Sequence, residues 1–203
     1  IYSKNGDVDV SSSDYTPTAD GGAFLALKAR HTSANFYGND ILLQLVGNNG
    51  TETTISFSFP DAEYHNVYQP VFVKVDADGN ISSAVRATVD WNPVDNPASS
   101  YTWGISDGFS LYGAAQDANG NFFVTGNLRR TMHIGENEIL AHNVADWDGG
   151  SGFAGSAFVL KLNSDLTYNS HIVTGGSSVG ETAKQMKYKD GKLYIAGYLK
   201  GTN

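Results

Sequence analysis

Three stretches of the chain share one order of polar and apolar positions. They are Asp20-Gly-Gly-Ala-Phe-Leu-Ala-Leu, Asn119-Gly-Asn-Phe-Phe-Val-Thr-Gly and Asp190-Gly-Lys-Leu-Tyr-Ile-Ala-Gly. Each sets a polar turn before a short apolar run, and each leads into basic residues and a threonine, at Thr32, Thr131 and Thr202. Asn and Gly take positive φ at low cost, so these turns are natural hairpin corners. An apolar run of four or five residues predicts a strand buried on both faces.

The middle stretch sets the template. Asp117 to Asn121 predicts a turn and Phe122 to Gly126 a strand. Ile134-Gly135 and a turn at Glu136-Asn137 lead to a second strand beginning at Glu138. Ala157 to Leu162 predicts a third strand, and Tyr168 to Val173 a fourth. Together they read as one antiparallel meander. The first unit follows the same order: Phe24 to Leu27, then Phe36 to Gly38 and Ile41-Leu42, then Val71 to Val75, a hairpin at Asp76 to Asn80, and Ile81 to Val89. Lys74 aligns with Lys161. The third unit supplies one strand, Leu193 to Gly197. The expected division is 1–18, the end of a preceding blade and a connection; 19–90, a first repeat; 91–113, a connection; 114–176, a second repeat; and 177–203, the first strand of a third repeat. The units exceed the roughly 40–50 residues of a common propeller blade, and the excess falls in loops.

Ser, Thr, Asn, Tyr and Phe recur, and 23 glycines stand beside only 5 prolines. This favours strands and tight turns over helices. The formal net charge of −8 lacks the positive field that holds a phosphate backbone, so nucleic acid is not an expected partner. Absence of cysteine removes disulfides, thiol catalysis and Cys-based zinc sites. No apolar run reaches the length of a membrane-spanning helix.

The set Asp117, Gly120, Asn121, Gly126, Thr131, Gly135, Phe158, Val159, Lys161 and Leu162, with Asp190, Gly191, Gly197 and Thr202, resembles the β-propeller repeats of secreted and surface bacterial proteins, often called SBBP-type repeats. Leu27 departs from the pattern, where a strand-ending glycine is expected. The resemblance implies an all-β fold, a partial β-propeller of four-stranded antiparallel blades, but no uniform chemistry. A two-sheet β-sandwich is the alternative. Propellers close with about four to eight blades, so the expected partners include remaining blades on another chain or copy.

Candidate chemistry is sparse. Asp146-Trp147-Asp148 lies in a Gly-rich insertion, where an aromatic ring flanked by carboxylates would stack a sugar or bind Ca2+. A tryptophan capping the core fits the same residues. Trp91, Tyr101 and Trp103 flank a Pro-containing connection and read as a binding platform or as packing between blades. Asp76 and Asp78 resemble the start of a calcium loop, but the glycine comes too early, and a hairpin turn explains the same residues. No histidine pair has zinc spacing, and no residues are assigned as catalytic. His133 aligns with Phe36, a packing position. The expected function is non-enzymatic binding or scaffolding by an exported bacterial protein, extracellular, periplasmic or at the cell surface, with a carbohydrate or protein ligand. The alternative is part of a glycan-active propeller enzyme whose active site needs further blades.

Overall fold

The computed structural model describes residues 8–31, 41–57, 68–90, 108–141, 155–174 and 181–198. Every regular element in them is a strand. Sheet 1 joins β1 (Val8–Pro17), β2 (Ala23–His31), β5 (Gln69–Val75) and β6 (Ile81–Arg86) in that order. Sheet 2 joins β8 (Phe109–Gln116), β9 (Phe122–Leu128), β12 (Ser156–Leu162) and β13 (Tyr168–Val173). β14 (Thr182–Lys189) and β15 (Lys192–Tyr198) form a two-stranded sheet. Two insertions occupy equivalent places between the second and third strands of each large sheet. The first is the hairpin β3 (Ile41–Val46) and β4 (Glu52–Phe57). The second is β10 (Met132–Ile134) and β11 (Asn137–Ile139), which pairs with β7 (Thr88–Val89) as a three-stranded sheet. The pairing is antiparallel throughout and no sheet closes on itself.

Period-two alternation sets the layers. On β2, Phe24 and Ala26 face sheet 2 and join Phe72 in one apolar cluster with Phe109, Leu111, Phe122, Val124, Phe158, Leu160 and Leu162. Leu27 and Ala29 point the other way, with Val71 and Val73, against Leu43, Leu45 and Ile55 of the β3–β4 hairpin. On β9, the alternate residues Phe123 and Asn127 meet the last sheet. Phe123 stacks on Tyr188 at 6.2 Å between ring centroids, and the Asn127 amide donates to the Glu181 carbonyl. The layers therefore run hairpin, sheet 1, sheet 2, β14–β15. First strands lie nearest their neighbours: the Ala114 N–H of β8 donates to Asp14 of β1 at 2.6 Å, and Gly113 approaches the backbone of Met186 on β14.

The repeat extends to irregularities in register. A bulge interrupts the first strand at Ser12/Asp14, at Leu111/Gly113 and at Ala183/Gln185. These face Leu27/Ala26, Gly126/Thr125 and Gly197/Ala196, which are equivalent positions. A second bulge follows Lys74 and Lys161 in the third strands. Bulges twist a strand and re-aim side chains, and the one in β1 sets the Asp14 carboxylate against β8. The motif glycines lie close against the first strands: a Cβ on Gly126 would lie 1.8 Å from the Ser110 carbonyl oxygen, and one on Gly197 2.2 Å from that of Thr182.

Strand order differs from the sequence expectation in four places. Residues 8–17 pair with β2 inside sheet 1. The first strand of sheet 2 is Phe109–Gln116, whose Gly-Ala-Ala centre has little strand propensity but admits the close approach of β14. Glu138-Ile139 belongs to the inserted hairpin instead of the main meander, because Gly135, at φ 59°, turns the chain back after only three residues of β10. In addition, the expected strand Ile81 to Val89 divides near Ala87, and β7 leaves sheet 1 to join β10. Positions 1–4, 36–38 and 200–202 lie outside the described residues.

Substituting Gly126→Ala should lower the unfolding free energy by roughly 2–4 kcal/mol, because the new methyl meets backbone that cannot move alone. Gly50→Ala meets open space at φ +79° and should cost only about 1 kcal/mol. Denaturant titration of both variants checks the contrast; equal losses would contradict it.

Candidate functional site

One end of the layers is built from a single turn used repeatedly. Residues 18–22, 47–51, 76–80, 117–121 and 163–167 each close with the same two backbone bonds, first residue N–H to fifth C=O and fourth N–H to first C=O, at 2.8–3.1 Å. The fourth residue has positive φ each time: Gly21, Gly50, Gly79, Gly120 and Leu166. This is the three-residue hairpin loop with a left-handed residue. Leu166 is the exception to glycine there, and it buries its side chain in the shared core.

Acidic side chains at this end serve the turns. Asp117 Oδ1 accepts the Asn119 and Asn121 N–H groups at 2.9 Å, and its Oδ2 accepts the Asn121 amide. Lys161 stands 3.6 Å from that Oδ2. Asp76 repeats the arrangement with Asp78 N–H and both donors of Asn80. The pentapeptide that resembles a calcium loop is thus a hairpin turn, with Asp78 exposed at its tip. Asn80 Oδ1 in turn accepts the Asn49 N–H, tying the β3–β4 turn to sheet 1. Lys74 lies 3.8 Å from Asp20 as Lys161 does from Asp117, so the aligned lysines occupy matching positions.

These contacts shift titration in one direction. Burial raises the Asp117 carboxyl, but bonds from the Asn121 side chain and backbone and the Asn119 backbone, with the Lys161 charge, outweigh it and hold the group below its usual 3.8. Asp76 is lowered chiefly by the Asn80 N–H, Asp20 by the Thr18 hydroxyl and Asp165 by the Thr167 hydroxyl.

The opposite end carries the small sheet of β7, β10 and β11. His133 Nε2 lies 2.8 Å from Asp90 Oδ1, and its Nδ1 lies 3.9 Å from Glu138 Oε1. His133 alternates with the buried Met132 and Ile134, so it is a polar bridge between β7 and the β10–β11 hairpin instead of a packing residue. Both carboxylates are exposed, so the bridge contributes little to stability. Sequence reasoning missed Asp90 because only the non-local pairing of β7 with β10 brings it to His133, and missed Glu138 because the strand it begins was assigned to the main meander, whereas it pairs with His133 in the β10–β11 hairpin. Nearby, Thr174 Oγ1 donates to Glu181 at 2.8 Å, and Glu181 N–H donates to the Gly155 carbonyl.

Trp91, Tyr101, Trp103, Asp146, Trp147 and Asp148 lie outside the described residues. The described residues Asp90 and Gly108 belong to this end: Gly108 O accepts Arg129 N–H at 2.8 Å, and Asp90 N–H donates to Thr131 O at 2.9 Å. Among the described residues, no three His, Asp or Glu side chains converge to hold a metal ion, and no helix is long and apolar enough to cross a membrane. Across known proteins, no family model matches the chain, and no curated protein matches it significantly.

A carboxyl whose folded pKa is depressed stabilises the fold above its unfolded pKa, and that contribution disappears as pH falls through the folded value. Stability should therefore fall as pH drops below 3.8 and through the lower folded values. Asp117→Asn removes one linked proton and should flatten the fall, while Asp117→Ala should cost about 1–3 kcal/mol at pH 7 by orphaning the turn donors. Urea titrations at pH 7, 5, 4 and 3 check both.

Proposed function

We propose that the chain is a β-propeller module of the secreted and surface bacterial repeat type, and that it binds or scaffolds at the cell surface without catalysing a reaction. The observation that carries this reading is the recurrence of one unit with the same first-strand bulge opposite equivalent residues three times. Units placed side by side by their first strands, with small residues Gly113, Ala114 and Ala115 at the contact, suit blades that converge on an axis. The β10–β11 insertion pairs with β7 at the end opposite the uniform turns, where repeat scaffolds commonly carry binding loops.

The carboxylates whose titration is displaced serve the turns. Each is held ionised by turn donors, whereas a general acid needs a raised pKa. The aromatic residues of 91–107 and 142–154 would then supply the ligand contacts, since an indole can stack on a sugar ring or pack against an extended peptide.

Sedimentation of the purified chain with isolated bacterial envelope should retain it saturably. Trp147→Ala and Trp103→Ala should each weaken retention at least tenfold, with unchanged circular dichroism and unfolding midpoint. Retention indifferent to both, or release of reducing sugar during incubation, would contradict the reading.

A further inference from the structure

The last sheet lacks, among the described residues, a neighbour that both large sheets possess. β2 pairs with β1 on one edge and β5 on the other, and β9 pairs with β8 and β12. β15 occupies their place in its unit, with Gly197 against the bulged first strand as Gly126 is, yet it pairs with β14 alone. Burial marks the difference. Phe24 and Val124 are fully buried and Leu25 and Phe123 half-buried, whereas the equivalent Tyr194 and Ile195 are 55% and 44% exposed. An unpaired edge beside exposed apolar side chains is a template for another strand.

The two complete sheets specify that strand. Opposite Phe24 stands Lys74, and opposite the equivalent Phe123 stands Lys161. Before each lysine, Val71-Phe72-Val73 and Phe158-Val159-Leu160 face the positions equivalent to Gly197, Ala196 and Ile195. After it, Val75 and Leu162 face the equivalent of Leu193. Lys161 sits 5.3 Å from the centroid of the Phe123 ring, a cation–π distance that Tyr194 would offer equally.

We infer that the free edge of β15 accepts an antiparallel strand from a polypeptide outside these 203 residues, reading three apolar residues, a lysine and an apolar residue, with the lysine opposite Tyr194. The segments outside the described residues contain no such run. A second copy cannot supply it, because β5 and β12 are already paired on both edges. The inference rests on the blade reading of the repeat and not on the cell-surface role, so it fails or stands separately from envelope binding.

The probe is a soluble peptide carrying the β12 sequence Ser-Ala-Phe-Val-Leu-Lys-Leu, titrated into the isotope-labelled full chain and followed by NMR. Saturable shifts confined to β14–β15, with alternate β15 amides exchanging at least tenfold more slowly, are expected. Replacing the peptide lysine by glutamate, or Tyr194→Lys in the chain, should weaken binding at least fivefold. Absence of shifts on β15 at millimolar peptide, shifts elsewhere only, or β15 amides already protected in the chain alone would each overturn the inference.

Discussion

The apolar layer between the two large sheets is the contact on which the fold depends. The Phe24 ring stacks on Phe122 at 4.5 Å between centroids and on Phe72 at 6.2 Å. Phe109 and Phe158 complete the layer, and all of these rings are fully buried. An isolated four-stranded sheet buries too little to stand alone, and two such faces pressed together form a core. Once this layer is fixed, the rest is constrained. The opposite face of sheet 1 must be covered, which the β3–β4 hairpin does with Leu43 and Leu45, and the opposite face of sheet 2 receives Tyr188. Close approach of first strands demands the small residues of β8, and the bulges let the strands twist while keeping Phe24 and Phe122 in contact.

Polar chemistry is distributed to serve this stack. Asp, Asn and Thr at the turn end satisfy backbone donors that hairpin corners leave over, and the lysines of the third strands reach those same turns. Such groups are fixed by local geometry and held ionised, and they serve the register of the hairpins. The opposite end is assembled differently, from non-local contacts such as Asp90 with His133. This division separates the part of the unit that repeats from the part free to carry a specific function.

Much of the repeat was legible in the sequence because its signals are local. The turn chemistry of Asp117 to Asn121, the runs at β9 and β12, and the equivalence of Lys74 with Lys161 follow from residues adjacent in the chain. β1 was not legible, since Val8–Pro17 is dominated by Ser and Asp and gains its place only by pairing with β2. β8 was hidden by Gly113, Ala114 and Ala115, which packing requires and propensity disfavours. The expected strand after Glu138 failed because three-residue strands take their partners from elsewhere, here from β7. The strand-ending glycine was visible as a pattern, but the carbonyl of Ser110 lying close against it was not. Of the candidate site, the hairpin character of Asp76 to Asn80 was legible; the bridge at His133 was not, because β7 and β10 lie far apart in sequence.

Native-state hydrogen exchange on a Phe122→Ala variant tests the central claim most directly, that sheets 1 and 2 share one core and open together. Truncating a fully buried Phe should cost about 3–5 kcal/mol, lost equally from the slowest amides of β2 and β5 in sheet 1 and of β9 and β12 in sheet 2. Loss confined to sheet 2, with β2 and β5 protected as before, would contradict the account and make the two sheets independent units.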